Sequence, residues 1–178
     1  MGRLTPPVGE RDHVQGPANA RVTLVEYGDF ECPHCAELYP LIQAARKAFG
    51  GNLRFAFRHF PLRASHPHAL AAARAAEAAG EQGKFWEMHD RLFQRQTELT
   101  DPDLRRHAGE LGLDIERFAR SFGAREHEVR IREDLASAAQ SGARGTPSLF
   151  INGDLYEGAL DRDELFAALA RAAVAVVP

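Results

Sequence analysis

The chain of 178 residues contains two cysteines, Cys32 and Cys35, separated by Pro33 and His34. Thiols at this spacing can close a redox-active disulfide or supply half of a tetrahedral zinc site. A disulfide between them would close a very small loop and constrain the unfolded chain little. Redox exchange therefore explains the pair better than stabilisation does. At the start of a helix, Cys32 would face unpaired backbone N–H groups and the positive end of the helix dipole, both of which favour a thiolate. His34 can add a donor or a positive charge beside it. Pro33 stiffens the turn, and Cys35, about one turn further in, has the more buried place of a resolving thiol. For zinc the candidate partners are His34, His66 and His68, but there is no second C-x-x-C and no histidine pair at finger spacing.

Two distant features bear on the same chemistry. Gly145-Thr146-Pro147 leads into Ser148-Leu-Phe-Ile151. Pro147 can be cis, since proline's trans preference is small. A cis bond would turn the Thr146 backbone toward Cys32 and offer its N–H and C=O to an extended peptide; the alternative is a trans proline at an edge-strand start. Glu26 lies six residues before Cys32 in an otherwise apolar run. It is either a carboxylate facing solvent at an edge, or a partly buried one with a raised pKa that relays the proton Cys35 gains or loses.

The elements that must position these residues follow from periodicity and turn signals. Val22–Tyr27 reads as a buried strand, Pro33 as the first turn of a helix running to Phe49, and Gly50-Gly51 as its end. Leu53–His59 alternates apolar and polar residues like a half-buried strand. From Ser65 the chain turns helical: Ser65 as a cap with Pro67 in the first turn, the alanine-rich stretch 69–79, Lys84–Gln94, a helix opened by Asp101-Pro102, a short one capped by Asp114, and Arg125–Ser141. Glu116/Arg120, Glu126/Arg130 and Glu128/Arg132 are placed for i,i+4 pairs. Strand character returns at Thr146–Ile151, Asn152-Gly153 signals a type I′ hairpin, and Asp161 caps a last helix. His59, His89, His107 and His127 read as surface or hydrogen-bonded helix residues, and Trp86 with Phe85, Phe93, Phe118 and Phe122 as the core of the helical block.

Strand, helix, strand, five helices, hairpin and helix describe an α/β chain: a thioredoxin fold with a central mixed sheet and an inserted helical subdomain. The expected division is an N-terminal arm over 1–20, fold halves at 21–62 and 143–178, and the insertion at 63–142. The net charge of −3 gives no electrostatic case for nucleic acid or an anionic membrane. The longest alanine-rich run is interrupted by Arg74 and Glu77. The N-terminus lacks the apolar core of a signal peptide. The expected location is the cytoplasm for the chain as written, and the periplasm or cell envelope if a leader has been removed.

With Cys32-Pro33-His34-Cys35, Glu26, the helical block and Gly145-Thr146-Pro147 in this order, the chain resembles the DsbA-like branch of the thioredoxin superfamily. His13–Ala20 and Tyr27-Gly-Asp-Phe-Glu-Cys32 resemble its single-domain members most closely. The resemblance implies dithiol–disulfide exchange, with Cys32 as nucleophile, Cys35 as resolving cysteine, Pro147 as cis-proline and Thr146 as a substrate contact. Threonine before the proline departs from the valine of DsbA itself and leaves oxidase and reductase or isomerase directions open. The expected partners are cysteine-containing proteins or peptides and a redox partner, and the chain is expected to be a monomer with no cofactor and no metal. The alternatives are a non-catalytic peptide-binding module and a zinc protein.

Overall fold

The computed structural model describes residues 2–175, apart from the side chain of Arg125; the ends of the expected arm and last segment, Met1 and 176–178, lie outside them. A five-stranded sheet has the order β1-β3-β2-β4-β5. β2 (Val22–Gly28) is its centre, parallel to β3 (Leu53–His59) and antiparallel to β4 (Ser148–Ile151). β1 (His13–Gln15) borders β3, and β5 (Asp154–Leu155) borders β4. The Asn152-Gly153 turn has positive φ at both residues, 49° and 89°, as a type I′ hairpin requires.

Side chains on a strand alternate between faces, and here the two faces meet different partners. Val22, Leu24, Phe55, Phe57 and Leu149 pack with α1 (Pro33–Phe49), α2 (Ala69–Gly80), α3 (Phe85–Gln94) and α7 (Arg162–Ala175). Val25, Tyr27, Ala56 and Phe150 pack on the opposite side with Ala138 of α6 (Arg125–Ser141) and with Leu4 of the arm. Between α3 and α6 lie α4 (Asp101–Glu110) and α5 (Ile115–Phe122), the latter capped by Asp114, whose Oδ1 accepts from the Arg117 N–H at 2.9 Å. Seven of the eight alanines in 69–79 are buried, so α2 brings its backbone close to its neighbours.

Several expectations change. β3 is buried on both faces, because it lies between β1 and β2 with helices on one side and α6 on the other; Arg58 (3% exposed) and His59 (1%) are interior. Arg58 is made tolerable there by Asp12 at 2.7 Å, the Tyr27 hydroxyl at 2.9 Å and the Pro6 carbonyl at 3.0 Å, which together fasten the arm to the sheet. His89, His107 and His127 take the second of their two expected readings, as buried and hydrogen-bonded helix residues. Ser65 does not cap α2, which begins at Ala69 after a turn. Of the three i,i+4 pairs only Glu116/Arg120 forms, at 3.9 Å; Glu128 instead meets Arg74 of α2, and Arg130 turns to Asp134. Pro40 lies inside α1, where it cannot donate to the Ala36 carbonyl.

Candidate functional site

The site forms where β2 ends and α1 begins. Cys32 is the N-cap of α1 with extended backbone, and Pro33 occupies the first turn, where its missing N–H costs nothing. Both cysteines are free thiols. Cys32 keeps 4% of its surface and Cys35 none, so only the first is open to an incoming sulfur. The Thr146–Pro147 bond is cis, and the Thr146 carbonyl lies 3.4 Å from Cys32 Sγ, 114 residues away in sequence.

The surroundings drive the two thiols apart. The Cys35 S–H donates to the Cys32 sulfur and is the largest influence on it. Burial acts the other way, but Thr146 and the backbone amides of Cys35 and His34 also favour the anion, and Cys32 is brought down to about 5. The Thr146 hydroxyl has no other partner and is buried, so it is free to turn its hydrogen toward the sulfur. Burial pushes the Cys35 thiol far up, and its bond to Cys32 and the charge of Glu26 push it further. At neutral pH the Cys32 side is therefore the thiolate and the Cys35 side the thiol that keeps its proton.

Glu26 is buried, 2% exposed, which removes the solvent-facing alternative. Alternation along β2 places it on the Leu24 face, toward α1, paired with Phe57 and Leu149 of the flanking strands. Burial, then the charge of Cys32, raises it to about 8. Its Oε1 has no hydrogen-bond partner. Gly28 is required beside it: a Cβ there would come within 2.4 Å of the Phe57 ring and 2.9 Å of Glu26 Oε1.

His34 departs from its expected role. Its imidazole is exposed and lies 3.3 Å from Glu37, and the contribution of this residue to Cys32 is its backbone N–H. His66 is engaged through its ring and His68 through its backbone. His66 Nδ1 meets Asp29 Oδ2 at 2.8 Å, and the His68 N–H donates to Glu31 at 2.7 Å. Among the described residues, three metal-ligating groups come together at His13, His59 and Glu77, a set that does not include the cysteines.

Sequence reasoning missed the clamps on the loop that carries Cys32. Asp29, buried, accepts from the Glu31 and Leu62 N–H groups, both at 2.8 Å, and from His66, while its backbone carbonyl accepts from the Cys32 N–H at 3.1 Å. Gln96, between α3 and α4, donates its amide to the Phe30 and Cys32 carbonyls at 3.0 and 2.8 Å. The Asp29 clamp had a faint signal, a carboxylate three residues before the cysteine at the end of an apolar strand; Gln96, 64 residues away, had none.

A family model described as thioredoxin matches residues 9–171. The chain belongs to the thioredoxin family. A thioredoxin-like oxidoreductase from Silicibacter pomeroyi is similar at 32% identity and a TM-score of 0.82, over 92% of this chain and 93% of that one. BdbD from Bacillus subtilis shares the fold with a TM-score of 0.85 over 97% and 98% of the two chains, at 21% identity. DsbA and other thiol–disulfide oxidoreductases are among the structural neighbours, and the Cys32–Cys35 spacing fits theirs. A relative named Na(+)/H(+) antiporter NhaA 1, from Salinispora arenicola, is 46% identical over 169 residues, which is 95% of this chain and 26% of that protein. The chain spans about a quarter of the length of the curated relatives it matches. No helix among its described residues is long and apolar enough to cross a membrane. Thiol–disulfide exchange is the general chemistry that membership of the thioredoxin family and these neighbours support for the chain.

Proposed function

We propose that the protein is a DsbA-like oxidoreductase that passes its Cys32–Cys35 disulfide to cysteine-containing proteins or peptides. The observation that carries this reading is the separation of the two thiols, Cys32 held near 5 at a helix start and Cys35 buried and pushed far up. A substrate thiolate attacks Cys32 Sγ, the Cys32–Cys35 bond breaks, and Cys35 leaves with the electron pair. A second substrate thiolate attacks the substrate sulfur of the mixed disulfide and expels Cys32 as a thiolate. The substrate is oxidised by two electrons and the cysteine pair reduced by two.

Glu26, protonated at neutral pH, supplies the proton that Cys35 takes up as it leaves and recovers one when the pair is reoxidised. An extended peptide lies across Thr146 and Pro147. A cavity of about 250 Å³ lined by His34, Glu37, Leu38, Thr146, Pro147 and Leu160 adjoins the nucleophile on one side of that turn. The chemistry suits an oxidising compartment such as the cell envelope, with a redox partner to renew the disulfide.

The deciding experiment is the reduction potential of the pair together with trapping. A potential well above the roughly −270 mV of thioredoxin is expected, since a stabilised thiolate favours the reduced pair. Cys32→Ser should reduce exchange with a cysteine-containing peptide to background, and Cys35→Ser should accumulate the mixed disulfide at Cys32. A thioredoxin-like potential would overturn the donor direction, and full activity in Cys32→Ser would overturn the mechanism.

A further inference from the structure

His13, His59 and Glu77 come from three separate elements, β1, the end of β3 and the middle of α2, and meet at one point. His13 Nε2 lies 2.6 Å and His59 Nε2 2.7 Å from the same oxygen, Glu77 Oε1, and the three donor atoms all fall within 4.8 Å of one another. The proposed thiol chemistry uses none of them.

We propose that His13, His59 and Glu77 bind a divalent transition ion of zinc's class, at the seam between the sheet edge and α2. Two imidazoles and one carboxylate are a donor set suited to zinc, with a fourth position left for water. Zinc takes nitrogen and oxygen ligands at about 2.0–2.2 Å, which sets tetrahedral neighbours roughly 3.3 Å apart. The nitrogen–oxygen separations here are shorter, so the carboxylate must draw back by about 0.6 Å, a movement within reach of the broad terminal torsion of a glutamate.

The imidazoles are already oriented. The His13 ring stacks on Phe85 at 3.4 Å between centroids and 7° between planes. His59 is wedged edge-on against Phe57, with ring centroids 5.5 Å apart. Coordination through Nε2 moves each imidazole proton to Nδ1. His59 Nδ1 is buried without a partner, so its N–H goes unpaired on coordination, a cost that the metal–ligand bonds must offset. Access lies on the His13 side, whose side chain is 19% exposed.

The charge balance accepts a cation. The groups packed around the cluster are Asp134, which receives the His59 backbone N–H at 2.9 Å, and Arg130, which Asp134 holds at 3.8 Å. Glu77 is then the one carboxylate whose charge is balanced by no basic side chain other than the two imidazoles. Burial pushes the Glu77 carboxyl up, but the hydrogen bonds from His13 and His59 hold it well below the usual range, so the ligand is charged at neutral pH. An ion here would tie the arm to the helical block.

The test uses the full chain with the Cys32–Cys35 pair oxidised, so that neither thiol can hold metal. Titration with cobalt(II) should give a saturable 1:1 complex with the visible absorption of a four-coordinate site and without thiolate charge-transfer bands. Zinc should displace the cobalt and raise the melting temperature. His13→Phe keeps the stacking on Phe85 and should weaken binding at least a hundredfold while the fold, read by circular dichroism, persists. Glu77→Gln serves as a second variant, with the same loss of binding expected. Absence of 1:1 binding in the oxidised wild type, or equal binding in His13→Phe, would overturn the site; neither outcome bears on exchange at Cys32.

Discussion

Glu26 and Glu77 are both buried carboxyl groups, and the fold treats them in opposite ways. Glu26 sits under the start of α1 with an unpartnered oxygen, and burial carries it up to about 8. Glu77 sits between two imidazoles that more than offset its burial, and it stays ionised. Burial alone therefore does not decide charge; the number of donors within reach does. The first arrangement is suited to moving a proton and the second to holding a charge. Cys32 and Cys35 repeat the contrast within a single helical turn.

The difference can be broken most severely at Glu77. Glu77→Ala leaves the buried His59 imidazole and the half-buried His13 imidazole without an acceptor and should cost about 4 kcal/mol in urea unfolding at neutral pH. A loss below about 1 kcal/mol would mean that the carboxylate is not what makes the seam stable.

The two carboxyls should also give stability opposite pH slopes. Glu77 is depressed in the folded state, so its contribution is present above about pH 4.5 and is lost as pH falls below that value. Glu26 is raised, so the folded state holds a proton the unfolded chain has released, and stability falls as pH rises from about 4.5 to about 8. Glu26→Gln removes that slope. Relative to wild type, the reduced variant should gain about 3–4 kcal/mol between pH 5 and pH 8, and the proposed role of Glu26 as proton source predicts slower disulfide exchange. A pH-independent difference between the two proteins would remove Glu26 from the buried, raised class.

Smaller effects sharpen the contrast around Cys32. Thr146→Val deletes a hydroxyl worth about 1 kcal/mol to the anion, so the thiolate absorbance should titrate roughly one pH unit higher and the reduction potential should drop by up to about 30 mV. An unchanged titration would assign the low value to Cys35 and the backbone amides alone. Gln96→Ala frees the loop carbonyls of Phe30 and Cys32 and should lower alkylation of Cys32 about twofold at pH 6, with little change at pH 8.

The strands and helices were legible because each obeys a local rule. Val22–Tyr27 and Leu53–His59 read as strands, Pro33 and Gly50 bracket α1, and Asp114 and Asp161 cap the helices they precede. The cysteine spacing and Gly145-Thr146-Pro147 pointed to the site for the same reason. Burial of Arg58 and His59 was not legible, because alternation within one strand carries no information about what covers its second face. The clamps from Asp29 and Gln96 were faint or silent in the sequence because their hydrogen bonds join segments 33 and 64 residues apart.

What the sequence by itself determined is the local grammar: which segments form strands and helices, where α1 starts, and that its first turn carries two thiols. The tertiary structure decided everything that depends on which surfaces meet. It put Glu26 on the covered face of β2, set Thr146 against Cys32 and turned the His34 imidazole outward. It also gathered His13, His59 and Glu77 at one point. Backbone propensity and capping act over a few residues, whereas desolvation and hydrogen bonding to a charged group act through space, between atoms that only the packed fold brings within a few ångströms.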